Sequence, residues 1–120
     1  MTDMKTATLD VDQDKINLYA EITGDPNPIH TDPAFAATTE MGAVIAHGTM
    51  SANLIWQAAR ETFGPDVGAG AELDIKFLRP VRVGDRVTAG GEQADDGAWS
   101  VWVRNQNEET VIAGTLRLPA

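Results

Sequence analysis

The hydrophobic pattern changes period once along the 120 residues, between Gly64 and Gly70. Before that point apolar side chains mostly recur at helical spacing; after it they mostly alternate, as in strands with one buried face. The longest helical stretch runs from Thr49 to Phe63, with Met50, Leu54, Ile55, Ala58 and Ala59 at helical spacing and Gly64-Pro65 as its stop. No charge precedes Arg60 in it, which suits a helix buried on several sides. Beyond Gly70, Leu73, Ile75 and Phe77 alternate with Asp74, Lys76 and Leu78 in a strand ending at Pro80. Gly84-Asp85 marks a turn or bulge before a strand from Arg86 to Gln93, and Asp95-Asp96-Gly97 a hairpin turn. Trp99, Val101 and Val103 then share one face, with Trp102 on the other. A turn around Gln106 to Glu109 leads into the last strand, whose Ile112, Leu116 and Leu118 share a face. An antiparallel sheet with one apolar face needs a cover, and the long apolar helix supplies it. The plan is α+β.

The first half adds smaller elements. Met4 to Asp10 reads as a short first strand. Asp12 or Asp14 caps a helix to Thr23, with Ile16, Tyr19 and Ala20 on one face and Gly24 ending it. Asp32-Pro33 then reads as cap plus first position of a short helix through Thr39, closed near Gly42.

At 12.8 kDa the chain fits one domain, 1–120, large enough to bury about two-thirds of its extended surface in a single core. It has no cysteine, which excludes disulfides, thiolate metal sites and a cysteine nucleophile. With 9 basic and 18 acidic residues the net charge is −9, a field that repels phosphate backbones and argues against nucleic acid as a partner. No apolar run approaches the roughly 20 residues needed to span a bilayer. Met1 to Lys5 lacks the apolar stretch of a secretory signal, so a cytoplasmic protein is expected.

Reactive side chains are densest in Gly24-Asp25-Pro26-Asn27-Pro28-Ile29-His30-Thr31-Asp32. Two prolines fix their own φ and bias Asp25 and Asn27 towards extended backbone. A carboxylate and an imidazole five residues apart thus sit on a stiffened loop, suited to holding an acid and a base against one water. The structural alternative is an Asx-Pro loop in which Asp25 only caps the next turn. A second cluster, Ile45-Ala46-His47-Gly48, precedes the long helix. A glycine there lets a ligand approach the first backbone N–H groups, at the positive end of the helix dipole. Otherwise Gly48 merely starts the helix and His47 is a structural histidine. His30, Asp32 and His47 offer metal-type ligands, but their spacing matches no metal motif, so no metal is expected. Ser51 and Ser100 lie in no nucleophile-elbow sequence. Lys76, Arg79, Arg82 and Arg86 put four of nine positive charges within eleven positions, either a patch for a phosphorylated carrier or cofactor or an ordinary solvated face.

Taken together, these stretches resemble the MaoC-like dehydratases, the family of (R)-specific enoyl-CoA hydratases. The resemblance rests on Gly24 to Asp32, on Ile45-Ala46-His47-Gly48 and on Phe77-Leu78-Arg79-Pro80-Val81-Arg82-Val83-Gly84-Asp85, and it extends from Ile16 to Leu118. It implies a hot-dog fold, an antiparallel sheet wrapped around the long helix, paired with a second unit as a homodimer or heterodimer. It implies that Asp25 and His30 form the catalytic pair, that Asn27 helps to hold the loop on the substrate side, and that the Gly48 amide donates to the thioester carbonyl oxygen.

The implied reaction is reversible syn addition of water to a trans-2-enoyl thioester, giving an (R)-3-hydroxyacyl thioester. The favoured assignment has Asp25 as base and His30 as proton donor, with the roles open to exchange. No metal or redox cofactor is implied; coenzyme A or a phosphopantetheine arm enters as part of the substrate. Two other readings accompany this one: a dehydratase of carrier-bound 3-hydroxyacyl groups, and a non-catalytic hot-dog subunit that binds acyl thioesters. Trp56 is bulky for its place in the helix, and the expectation is that it shortens or redirects the acyl pocket.

Overall fold

The computed structural model describes residues 3–119. Along the chain run β1 (Ala7–Asp10), α1 (Gln13–Thr23), α2 (Pro28–Thr31), α3 (Pro33–Ala36), α4 (Gly48–Phe63), β2 (Glu72–Phe77), β3 (Arg86–Gln93), β4 (Trp99–Arg104) and β5 (Thr110–Arg117). The strands form one sheet of order β1-β3-β4-β5-β2, antiparallel at every pairing. This is the α+β plan read from the sequence, with α4 packed on β1, β3 and β4.

The core lies between α4 and the inner face of the sheet. From α4 come Met50, Leu54, Ile55, Ala58 and Ala59; from the strands Val87, Ala89, Val101, Val103, Ile112 and Leu116. The small residues on α4 let the helix axis approach the strands. Trp99 turns inward and meets Phe63 edge-on, with centroids 5.0 Å apart. Trp102 lies on the opposite face, its ring over Gly90 and the Arg104 guanidinium 3.9 Å from its centroid. A Cβ at Gly90 would lie 2.7 Å from that ring, so glycine is what admits the tryptophan.

Local chemistry sets the element ends. Asp12 caps α1, its carboxylate accepting from the Lys15 N–H at 2.8 Å, and Gly24 closes it with φ 68°. α3 stops at Ala36, short of the Thr39 expected from the sequence. The hydroxyls of Thr38 and Thr39 donate to the carbonyls of Phe35 and Ala36, both at 2.7 Å, and so compete with helix continuation. The first strand is shorter than expected, although the Met4 N–H still donates to the Gly91 carbonyl.

One irregularity matters for the site. The β4–β5 register shifts between Val103 and Arg104, so that Val103 pairs with Ile112 but Arg104 with Thr110. Val111 is the extra residue, and it and Ile112 are both buried. The Val111 carbonyl accepts from the Leu78 N–H (2.8 Å) and the Arg79 N–H (3.3 Å), which draws the chain leaving β2 across the end of the sheet. Among the described residues no helix is long and apolar enough to cross a membrane.

Candidate active site

Asp25 lies one residue beyond the left-handed Gly24, its N–H donating to the Ala20 carbonyl at 3.0 Å. From there the chain enters the one-turn helix α2. Asn27 caps it, its side-chain oxygen accepting from the Ile29 N–H at 3.0 Å, and Pro28 occupies the first helical position. Asn27 therefore holds the loop, with its side chain turned to its own backbone. His30 follows within the turn, and its carbonyl accepts from the Gln13 side chain at 2.9 Å. Asp32 closes α2 and caps α3, accepting from the Ala34 and Phe35 N–H groups, and so takes no part in the cluster formed by the two histidines.

A second strip of chain faces this loop. Ile45 donates its N–H to the Ile29 carbonyl at 3.2 Å, and Ala46 donates to the Val81 carbonyl at 2.7 Å. The strip is thereby fixed on both sides before α4 begins. Its Ile45 carbonyl lies 2.7 Å from His30 Nδ1. A carbonyl only accepts, so Nδ1 carries the hydrogen, and Nε2 is the nitrogen left for chemistry. His47 is buried, and its Nε2 donates to the Asp25 carbonyl at 3.0 Å. The Asp25 carboxylate oxygen is 3.9 Å from the same nitrogen and is half exposed. The two imidazoles stack, and Tyr19 meets His47 edge-on at 5.0 Å. The Tyr19 hydroxyl donates in turn to the Thr49 hydroxyl at 2.7 Å.

Asp25, His30 and His47 thus bring one donor atom each within 4.8 Å of one another. Two of the four ring nitrogens are already committed to backbone carbonyls. What remains is the Asp25 carboxylate, His30 Nε2 and the buried His47 Nδ1, which has no hydrogen-bonding partner among the described residues. The carboxylate and His30 Nε2 on their rigid support can hold a small hydroxylic molecule and exchange protons with it.

Beside the cluster is an apolar cavity of about 300 Å³, walled by Ile45, Gly48, Ser51, Phe77, Leu78 and Ile112, among others. Gly48 is the first residue of α4, so its N–H has no acceptor within the helix. The Phe77 ring packs on it; a Cβ at Gly48 would lie 2.7 Å from Phe77 Cε1. Trp56 is half-buried against the core and is not among the residues lining this cavity. Of the four clustered basic residues, the three arginines are engaged separately. Arg86 pairs with Asp10, Arg79 with Glu109 at 3.3 Å, and Arg82 donates to the Met41 carbonyl; only Arg79 reaches the cavity wall.

The family model for the MaoC like domain matches residues 2–113. The chain belongs to this MaoC-like family. A 3-hydroxybutyryl-CoA dehydratase of Methylorubrum extorquens is 46% identical over 78 residues, 64% of this chain and 49% of that protein. This MaoC-like chain spans about half the length of the curated relatives it matches, such as that dehydratase. Two solved structures superpose over nearly all of it. R-hydratase PhaJ1 from Pseudomonas aeruginosa, unliganded, has TM-score 0.83 and 28% identity, covering 100% of this chain and 81% of its own. The (R)-hydratase from A. caviae, described as involved in PHA biosynthesis, has TM-score 0.78 and 27% identity, covering 99% and 98%. The sheet and its central helix are therefore a MaoC-like hot-dog fold.

Sequence reasoning singled out Asp25, His30, Asn27 and Gly48. His47 was weighed as part of the cluster before the helix, as a structural histidine and as a metal-type ligand, and Ser51 only as a nucleophile that no motif supports. The signal for Ser51 was present: Gly48 and Ser51 are three apart on one helix, hence on one face.

Proposed function

We propose that this protein adds water reversibly to trans-2-enoyl thioesters, giving (R)-3-hydroxyacyl thioesters. The observation that carries the reading is the convergence of the Asp25 carboxylate and His30 within one cluster, next to an apolar cavity that begins at the free N–H of α4. The acyl chain occupies the cavity, with its thioester oxygen at the Gly48 N–H. Water sits between Asp25 and His30 Nε2. Asp25 takes a proton from the water as its oxygen bonds to C3, and the C2–C3 π electrons move towards the carbonyl. The resulting enolate oxygen is held at the helix N-terminus, where a developing negative charge is best stabilised. In this direction the reaction starts with His30 protonated on both ring nitrogens, its Nδ1–H held by the Ile45 carbonyl. Nε2 delivers its proton to C2, and the proton that Asp25 gained from water then passes to Nε2 and restores the pair. Every step is a proton transfer or a carbon–oxygen bond change, so the chemistry asks for no metal or redox group.

Loss of absorbance at the conjugated enoyl-thioester band of crotonyl-CoA, by wild type and not by Asp25→Asn, would support the reading, with chiral analysis of the product. Failure on crotonyl-CoA and on longer and carrier-bound enoyl thioesters alike would overturn it.

We infer further that two copies of the chain pair through β2. Among the described residues β2 pairs with β5 alone, which leaves its outer edge free there. Phe77 and Leu78 at its end are 56% and 55% exposed beside the cavity. The accessible surface is 7,045 Å², against about 6,300 Å² for a monomer of this mass. Sedimentation at micromolar concentration should give a dimer that Leu78→Asp weakens; a wild-type monomer would overturn the pairing.

A further inference from the structure

Ser51 is 1% exposed, and its hydroxyl has no hydrogen-bonding partner among the described residues. A serine inside a helix ordinarily settles this by donating to the carbonyl four residues back. That acceptor would be His47, whose carbonyl accepts the Met50 N–H at 3.1 Å, and Ser51 does not use it. Ser51 is instead one of the residues that wall the cavity. Leaving a buried hydroxyl unpaired opposes folding. Alanine at this position would pack equally well in a helix that already buries Ala52, Ala58 and Ala59.

The position of Ser51 says what the hydroxyl is for. Side chains on an α-helix tilt towards its N-terminus, so Ser51 leans back over the first turn, one turn from Gly48 on the same face. Both residues line the cavity, and the other lining groups nearby are Ile45, Phe77 and Ile112. The Phe77 ring packed on Gly48 keeps this end of the cavity apolar. A ligand that satisfies such a wall is apolar along its length and carries one strong acceptor at the helix end.

We propose that Ser51 is a second donor to the thioester oxygen. On this reading, which rests on the hydratase assignment above, the Gly48 N–H and the Ser51 hydroxyl together hold the carbonyl oxygen as it becomes an enolate. The contact strengthens as negative charge develops, so it acts on the transition state more than on the bound substrate.

The test is Ser51→Ala, compared with wild type in crotonyl-CoA hydration and in thermal unfolding. The expected result is a kcat lower by about 10²-fold with KM nearly unchanged, and a Tm equal to or above that of wild type. Loss of activity with a gain of stability is the signature of a polar group kept for its ligand. An unchanged kcat in an active wild-type background would overturn the role of Ser51 and leave the hydratase reading intact. A raised KM with unchanged kcat, or a fall in kcat and Tm together, would also overturn it, since the first marks a ground-state contact and the second a structural one. A wild type inactive on every enoyl thioester would overturn the hydratase reading and this proposal with it.

Discussion

The imidazoles of His30 and His47 stack with centroids 3.8 Å apart and planes 26° from parallel, and each is oriented by a different backbone carbonyl. His30 is held by Ile45 on the strip before α4; His47, on that strip, holds Asp25 on the loop. The two segments are thus laced together in both directions, and the lacing fixes the separation of Asp25 from His30. Backbone groups carry this arrangement, which leaves the Asp25 carboxylate and His30 Nε2 outside the framework.

It follows that Asp25 can be changed without loosening the fold. Asp25→Asn keeps the carbonyl that His47 uses and an oxygen for the Asn27 N–H, 3.4 Å from the carboxylate. Hydration should fall by about 10²–10⁴-fold, the usual worth of a general base, with Tm near that of wild type. Stopped assays on enoyl thioesters beside a thermal melt would check both halves.

His47 calls for two variants, because it both packs and positions. His47→Phe keeps a ring against His30 and Tyr19 but loses the N–H that holds Asp25. Its kcat should drop about tenfold, with KM changed little. His47→Ala also empties a buried site and should destabilise by about 2–4 kcal/mol. Wild-type kcat in His47→Phe would show that Asp25 needs no such tether.

The fold was largely legible because its signals are local. The switch of period after Gly64, the Asp95-Asp96-Gly97 turn and the caps at Asp12 and Asp32 each act within a few residues, and β3 occupies the range read between its two flanking turns. Asp25 and His30 were legible for the same reason, lying on one proline-stiffened loop. What was hidden depends on residues distant in sequence. The Val111 bulge carries Leu78 and Arg79 over the cavity, Phe77 packs on Gly48, and His47 reaches back to the Asp25 carbonyl. No periodicity encodes those contacts. For the basic residues nearness in sequence left a patch and a solvated face both open; Asp10, Met41 and Glu109 engage Arg86, Arg82 and Arg79 one by one, contacts equally remote in sequence.

Gly48 and Phe77 should behave as a coupled pair. The three heavy atoms nearest a Cβ at Gly48 all belong to the Phe77 ring, at 2.7 to 3.3 Å. Gly48→Ala is therefore expected to displace that ring into the cavity mouth and raise KM, whereas Phe77→Ala opens the wall and relieves the clash. The double variant should recover much of the KM lost in Gly48→Ala, giving a coupling of about 0.5–3 kcal/mol in a double-mutant cycle. Strict additivity would mean that the glycine serves the backbone donor alone.

Acid stability should respond to two carboxylates far from the site. The Arg86 side chain donates to Asp10 at 2.6 Å and holds its pKa below 3.8; the Lys15 N–H does the same for Asp12 at the cap of α1. Unfolding releases both groups to their ordinary values. A folded-state pKa below the unfolded one stabilises the protein above the unfolded value, and the contribution disappears as pH falls through the folded one. Asp10→Asn and Asp12→Asn should therefore lower Tm at pH 7, while their difference from wild type shrinks steadily between about pH 5 and pH 2. Thermal melts across that range provide the check. A difference from wild type that stays constant with pH would show that the ionised carboxylates contribute nothing beyond their geometry.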